Sequence, residues 1–123
     1  MNYTACIQPL ERYLRITTTG TLATTEMVME YLALVVRMAN EYSQRHILLD
    51  ETRVRLMVDV LTAYAVADSP MVQEMVENGF RLACLSSQEQ YPLRRSAETI
   101  LCNRSLSYLV FLDEDEAVAW LTR

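Results

Sequence analysis

Apolar and polar residues change rhythm several times along the chain, and each change marks an element. Tyr3-Thr4-Ala5-Cys6-Ile7-Gln8 is β-prone and stops at Pro9. After Glu11 and Arg12, Tyr13–Thr18 resumes with Leu14 and Ile16 on one face and Tyr13 and Arg15 on the other. That period of two predicts a hairpin over residues 3–18 with one covered face. Gly20 then punctuates the chain, and Thr24 or Thr25 supplies a capping hydroxyl for a helix that runs to about Tyr42. Its apolar positions (Met27, Tyr31, Leu34, Val35, Met38, Tyr42) recur at helical intervals. Glu26 and Glu30 suit the positive end of its dipole.

The chain is organised around Arg45–Thr52, RHILLDET. The run His46-Ile47-Leu48-Leu49 is too short for a buried helix and predicts a strand covered on both faces, interior to its sheet. In open α/β sheets ligands and partners gather at the carboxyl ends of such strands, here Asp50-Glu51-Thr52. Beyond it, Val54, Met57, Val58, Leu61, Tyr64 and Ala65 predict a second helix over about 54–66. Ser69-Pro70 opens a third, over about 70–78, which Gly79 ends. Phe80–Leu85 is the next strand, and Pro92 opens a fourth helix that reaches about Asn103. Leu106–Leu112 is the last strand. Asp113, with Glu116 three residues on, caps a final helix whose Ala117, Trp120 and Leu121 share one side, with Trp120 as the expected anchor. Strands alternating with helices predict an α/β fold: a single mixed, mainly parallel sheet of about five strands with helices packed against it.

Composition narrows the function. A chain of 123 residues, 51% hydrophobic, suits one domain, 1–123, with a sizeable core. The same apolar content exceeds what one small core easily hides, so a homodimer is expected. The net charge of −5 sets sixteen acids against eleven bases, all of them arginine. The lack of lysine excludes a Schiff-base lysine, a lysine general base and a P-loop lysine. An acidic chain without a basic run makes no nucleic-acid partner, and two glycines cannot build a glycine-rich phosphate cradle. Cys6, Cys84 and Cys102 lack CxxC spacing and read as buried free thiols of a reducing cytoplasm. The start, MNYTACIQ, has neither the basic region of a signal peptide nor an apolar span, so a cytoplasmic location without a membrane span is expected.

Candidate chemistry is sparse, and no cofactor is implied. Asp50, Glu51 and Asp59 would serve acid–base work or a divalent metal if the fold clustered them. Strand-end capping and solvation are the simpler account. His46 has no second histidine for a metal site. Cys84, on a buried strand, lacks the electropositive setting that makes a thiolate. Arg94-Arg95 reads as a solvated surface pair, and Asp113–Glu116 as helix capping. Met27, Met29, Met38, Met57, Met71 and Met75 fill core space, with two or three left to line an adaptable apolar surface.

The opening hairpin, HILLDET, the strand FRLACLS and the ending YLVFLDEDEAVAWL together resemble the SpoIIAA-like, or STAS, superfamily, most of all its small stand-alone bacterial members of STAS/SEC14 type. The resemblance covers nearly the whole chain. It implies a SpoIIAA-like fold and a cytoplasmic, self-associating, non-catalytic regulatory or protein-interaction module. One departure matters. Phosphorylated members carry an Asp-Ser-Ser-Gly-type signature after the central strand, and the matching stretch here, Met57-Val58-Asp59-Val60, has no serine and no glycine. Serine phosphorylation is therefore not carried over. The expected working surface is Asp50, Glu51, Thr52 and Arg53, continuing onto Arg55 and Asp59 of the next helix, where charge and shape would recognise a protein partner or a small ligand. The second reading is a small lipid or apolar-ligand binder of SEC14-like type, which an apolar cavity would favour. An enzyme, third, needs a cleft that joins Asp50, Asp59 and a tyrosine.

Overall fold

A computed structural model describes residues 2–123. Its elements run β1 (Tyr3–Pro9), β2 (Leu14–Leu22), α1 (Thr25–Glu41), β3 (His46–Leu56), α2 (Val60–Ala67), α3 (Pro70–Glu77), β4 (Arg81–Leu85), α4 (Tyr91–Cys102), β5 (Ser107–Phe111) and α5 (Glu114–Leu121). The five strands form one sheet in the order β1-β2-β3-β4-β5, antiparallel at β1/β2 and parallel thereafter. β3 is the middle strand. Ile47, Leu48 and Leu49 are at most 1% exposed, which is why this stretch alternates nothing: both sides of it are core.

The faces are covered unequally. Ile47, Leu49, Leu82 and Val110 meet Tyr31 and Val35 of α1, Val66 of α2 and Met75 of α3 in the main core, with Tyr91 and Leu101 of α4 against it. Behind the sheet α5 stands alone, and its Ala117 and Leu121 close on Leu48 and Ala83. Leu121 is fully buried, while Trp120 is half-buried and lies against Phe111 and the Arg81 guanidinium. The anchor of α5 is therefore Leu121 with Ala117, and the expected anchor Trp120 seals the rim.

Local chemistry sets most boundaries. Thr24, Asp59, Ser69 and Asp113 each accept from a backbone amide three residues on, at the starts of α1, α2, α3 and α5. Gly79 ends α3 with φ +71.

Two expectations need correction. β2 does not stop at Gly20 but continues to Leu22, and Gly20 lies in the strand with φ +120, where a Cβ would collide with the Asn2 carbonyl. β3 likewise continues to Leu56, so no helix covers 54–59 and α2 starts at Val60. The cause is non-local. Gly20, Thr21 and Leu22 of β2 pair with Val54, Arg55 and Leu56, and that ladder outweighs a weak local helical period. Arg55 is thus a strand residue, and Asp59 is the cap of α2, not a member of its first turn.

Candidate functional site

The β2/β3 ladder is irregular where Thr17 pairs with Asp50 but Thr19 with Arg53. The extra residue on β3 shifts its alternation. Glu51 follows Ile47 and Leu49 toward the helices by ordinary alternation, and beyond the extra residue Val54 and Leu56 turn the same way, while Arg53 and Arg55 are exposed. Alternation separates Asp50 from Glu51, and the shift turns Arg53 and Arg55 away from the helices. Asp50 faces the α5 side: its Oδ2 takes Arg15 at 2.6 Å, and the same guanidinium reaches Glu114 of α5 at 2.7 Å. Its Oδ1 accepts from the Thr52 amide and hydroxyl at 3.1 and 2.7 Å. Asp50 thus fastens α5 to the sheet. Thr52, Arg53 and Arg55 are exposed, and the two arginines enter no ion pair among the described residues.

Glu51 alone goes inward. It is 5% exposed and forms a buried ion pair with Arg94 of α4, itself 2% exposed. Glu51 Oε2 accepts from the Tyr31 hydroxyl at 2.7 Å, and the Cys84 thiol lies 3.6 Å from Oε1. Arg94 Nη2 donates to the Val54 carbonyl at 3.3 Å. Arg94 Nε, also buried, has no partner among the described residues.

Over this network lies an apolar cavity of about 210 Å³. Leu22, Leu49 and Leu56 of the sheet floor it, α1 contributes Leu32, α2 Ala63 and α4 Ala97. Glu51, Arg94, Tyr31 and Tyr108 line its buried end, and the exposed Asp59, Val60 and Ser96 mark its mouth. Asp59 sits there as the α2 cap, its Oδ1 accepting from the Thr62 amide at 3.1 Å.

The expectation of a solvated Arg94-Arg95 pair is half corrected: Arg95 is exposed, but Arg94 is core. A signal for it existed. Arg94, Ala97 and Leu101 are spaced by three and four, so Arg94 stands in the apolar stripe of its helix. Its acid partner is forty-three residues away, on β3, and no local pattern connects them.

Burial and the neighbouring charge act together on Arg94, Tyr31, Tyr108 and Cys84. Burial works against the Arg94 charge, yet the Glu51 carboxylate outweighs it and the guanidinium keeps its proton more firmly than usual. Burial, with Glu51 beside it, pushes the Tyr31 hydroxyl well above its ordinary value. Burial does the same for Tyr108, with Cys84 adding to it, and drives the Cys84 thiol up, with Glu51 adding to it. Cys84 is therefore a thiol and no nucleophile at neutral pH.

Two predictions follow for these groups. The cysteines, expected to be buried together, divide instead: Cys84 is buried, and Cys6 and Cys102 are exposed. A colorimetric disulfide reagent should label Cys6 fastest. Cys102, whose Sγ donates to the Tyr108 carbonyl at 3.1 Å, should react more slowly, and Cys84 only with unfolding. Rapid three-thiol labelling of native protein would contradict this burial. The second prediction concerns alkali. All three buried groups have raised pKa values in the folded state, so the unfolded chain releases their protons first. Stability is then whole below the ordinary thiol value of 9.0 and falls as pH climbs through 9.0 and the ordinary tyrosine value of 10.0. Melting temperatures across this window should decline, and Cys84→Ala should flatten the first part of the decline.

Among the described residues no three of His, Cys, Asp and Glu gather as a metal site, and no helix is long and apolar enough to cross a membrane. On α2 and just before it, Met57, Val60, Leu61 and Tyr64 are exposed, Leu61 by 72%.

This arrangement of sheet and helices is the SpoIIAA-like α/β fold. An anti-sigma factor antagonist from Mycobacterium paratuberculosis superposes with a TM-score of 0.59 at 11% identity, over 98% of this chain and 95% of that one. A DUF3478-family protein of SpoIIAA-like fold from Shewanella loihica PV-4 gives 0.51 at 15% identity, over 98% and 94%. No protein-family model and no curated protein matches the sequence.

Proposed function

We propose that this protein is a non-catalytic regulatory module of STAS type whose ligand site is the cavity beneath α2. The observation that carries this reading is an apolar chamber of about 210 Å³ ending on a buried ion pair that is already complete. A chamber of that kind is the default small-molecule site of a domain. The acids argue against catalysis: Asp50 is tied to Arg15, Glu51 to Arg94 and Tyr31, and Asp59 to the Thr62 amide of α2. The likeness to an anti-sigma factor antagonist supports a regulatory role. The serine-free stretch 57–60 supports control by a bound molecule in place of phosphorylation.

The test is ligand-induced stabilisation. Toluene near saturation should raise the melting temperature of wild type, because binding to the native state alone adds stability by mass action. It should do nothing for Ala97→Phe, whose ring would occupy the cavity. Equal behaviour of the two proteins would end the cavity reading.

A protein-contact role rests on a different observation, the exposed row Met57, Val60, Leu61 and Tyr64. Beside it the carboxyl half of β3 offers Thr52, Arg53 and Arg55 to solvent. Exposed apolar groups this close together mark contact surfaces, and self-association through them is the expected form. Light scattering should show a dimer that Leu61→Glu converts to a monomer. A wild-type monomer at high micromolar concentration would sink this part.

A further inference from the structure

We propose that a second copy of this chain docks on the uncovered end of the sheet, with Arg53 and Arg55 of each copy receiving Asp115 and Glu116 of the other. This deepens the self-association reading above and rests on it. β4 and β5 end at Leu85 and Phe111, level with Asp50, whereas β2 and β3 stay paired as far as Leu22 and Leu56. α5 seats on Leu48 and Ala83, below that level. The sheet above Asp50 is therefore a bare shelf on its α5 side. Register places Thr19 beside Arg53 and Thr21 beside Arg55 on that shelf, since Leu22 and Val54 point into the opposite core. Both arginines are exposed and enter no ion pair among the described residues.

Shape and charge make this step self-complementary. Arg15 ties Glu114 to Asp50, so the first turn of α5 stands as a wall at the foot of the shelf. The wall is one helix diameter high, about 10 Å, and two packed sheets lie about 10 Å apart. A second copy turned by a two-fold axis across the strands lays its shelf on this one. Each α5 start then abuts the free end of the opposite shelf. That free end carries Arg55 and leads into Met57, Val60 and Leu61 of the exposed apolar row. On α5, Asp113 caps the helix and Glu114 holds Arg15. Asp115 and Glu116 are left exposed, with no ion pair among the described residues. In a chain of net charge −5 this pairing offsets the repulsion between copies, and an isologous contact uses it twice.

Sedimentation equilibrium at low salt should show a wild-type dimer that about 0.5 M NaCl weakens, because screening acts on exposed charges and not on an apolar contact. Reversing either side, Arg53→Glu with Arg55→Glu or Asp115→Arg with Glu116→Arg, should raise the dissociation constant about tenfold or more. An equimolar mixture of the two double variants should recover the wild-type value, since both junctions of the mixed dimer then join opposite charges. Positive charge at a helix start weakens the helix. If the α5 variant does not fold, the arginine variant and the salt series decide. A wild-type dimer that neither salt nor the arginine reversals weaken, or a mixture no tighter than its components, would overturn this pairing and leave self-association intact. A wild-type monomer at high micromolar concentration would remove both.

Discussion

Arg94→Ala should be the most damaging single substitution, lowering stability by about 3–5 kcal/mol. For a domain of this size that is a drop on the order of 10–20 °C in melting temperature. The reason is what stays behind: Glu51, 5% exposed, would remain in the core beside the Tyr31 hydroxyl with no counter-charge. Replacing both partners, as in Glu51→Leu with Arg94→Met, should recover most of the loss, because an apolar pair needs no desolvation of charge. Thermal denaturation of the two single variants and the double variant measures the coupling. A single Arg94→Ala variant as stable as wild type would mean that Glu51 is not buried as described.

Leu121→Ala should cost about 2–5 kcal/mol, the range for a large-to-small change in a packed core. Among the described residues α5 is the only helix behind the sheet, and it seats its buried Ala117 and Leu121 on Leu48 and Ala83, so one deletion removes a large part of that seat. Trp120→Ala should cost less, about 1–2 kcal/mol, since the ring is only half-buried. Hydrogen exchange should show α5 opening first in Leu121→Ala. A larger loss for Trp120→Ala than for Leu121→Ala would reverse the assignment.

The sequence was most legible where the signal is local or where burial is complete. Ser69-Pro70 and Asp113 with Glu116 announce helix starts because the capping groups lie within one turn of the amides they serve. The run His46–Leu49 announces a central strand because both faces there are core. The misread stretch, 54–59, had apolar residues that satisfy either period, and the strand won only because Gly20–Leu22 lie alongside it. The candidate site was half legible. Glu51 was named, but together with Asp50, which ordinary alternation sends to the other face, and with Arg53 and Arg55, which the bulge turns away, and Arg94 was taken for a surface residue.

What the amino-acid order determined by itself was therefore the succession of elements, the interior place of β3, and the exclusion of lysine and glycine-loop chemistry. The tertiary structure alone decided which acid turns inward, that an arginine forty-three residues away meets it, and that a chamber remains above the pair. Capping and periodicity act within a turn or two of the chain. Strand register and the meeting of buried charges depend on segments far apart in sequence, and they acquire their energy only when the sheet and helices exclude water together.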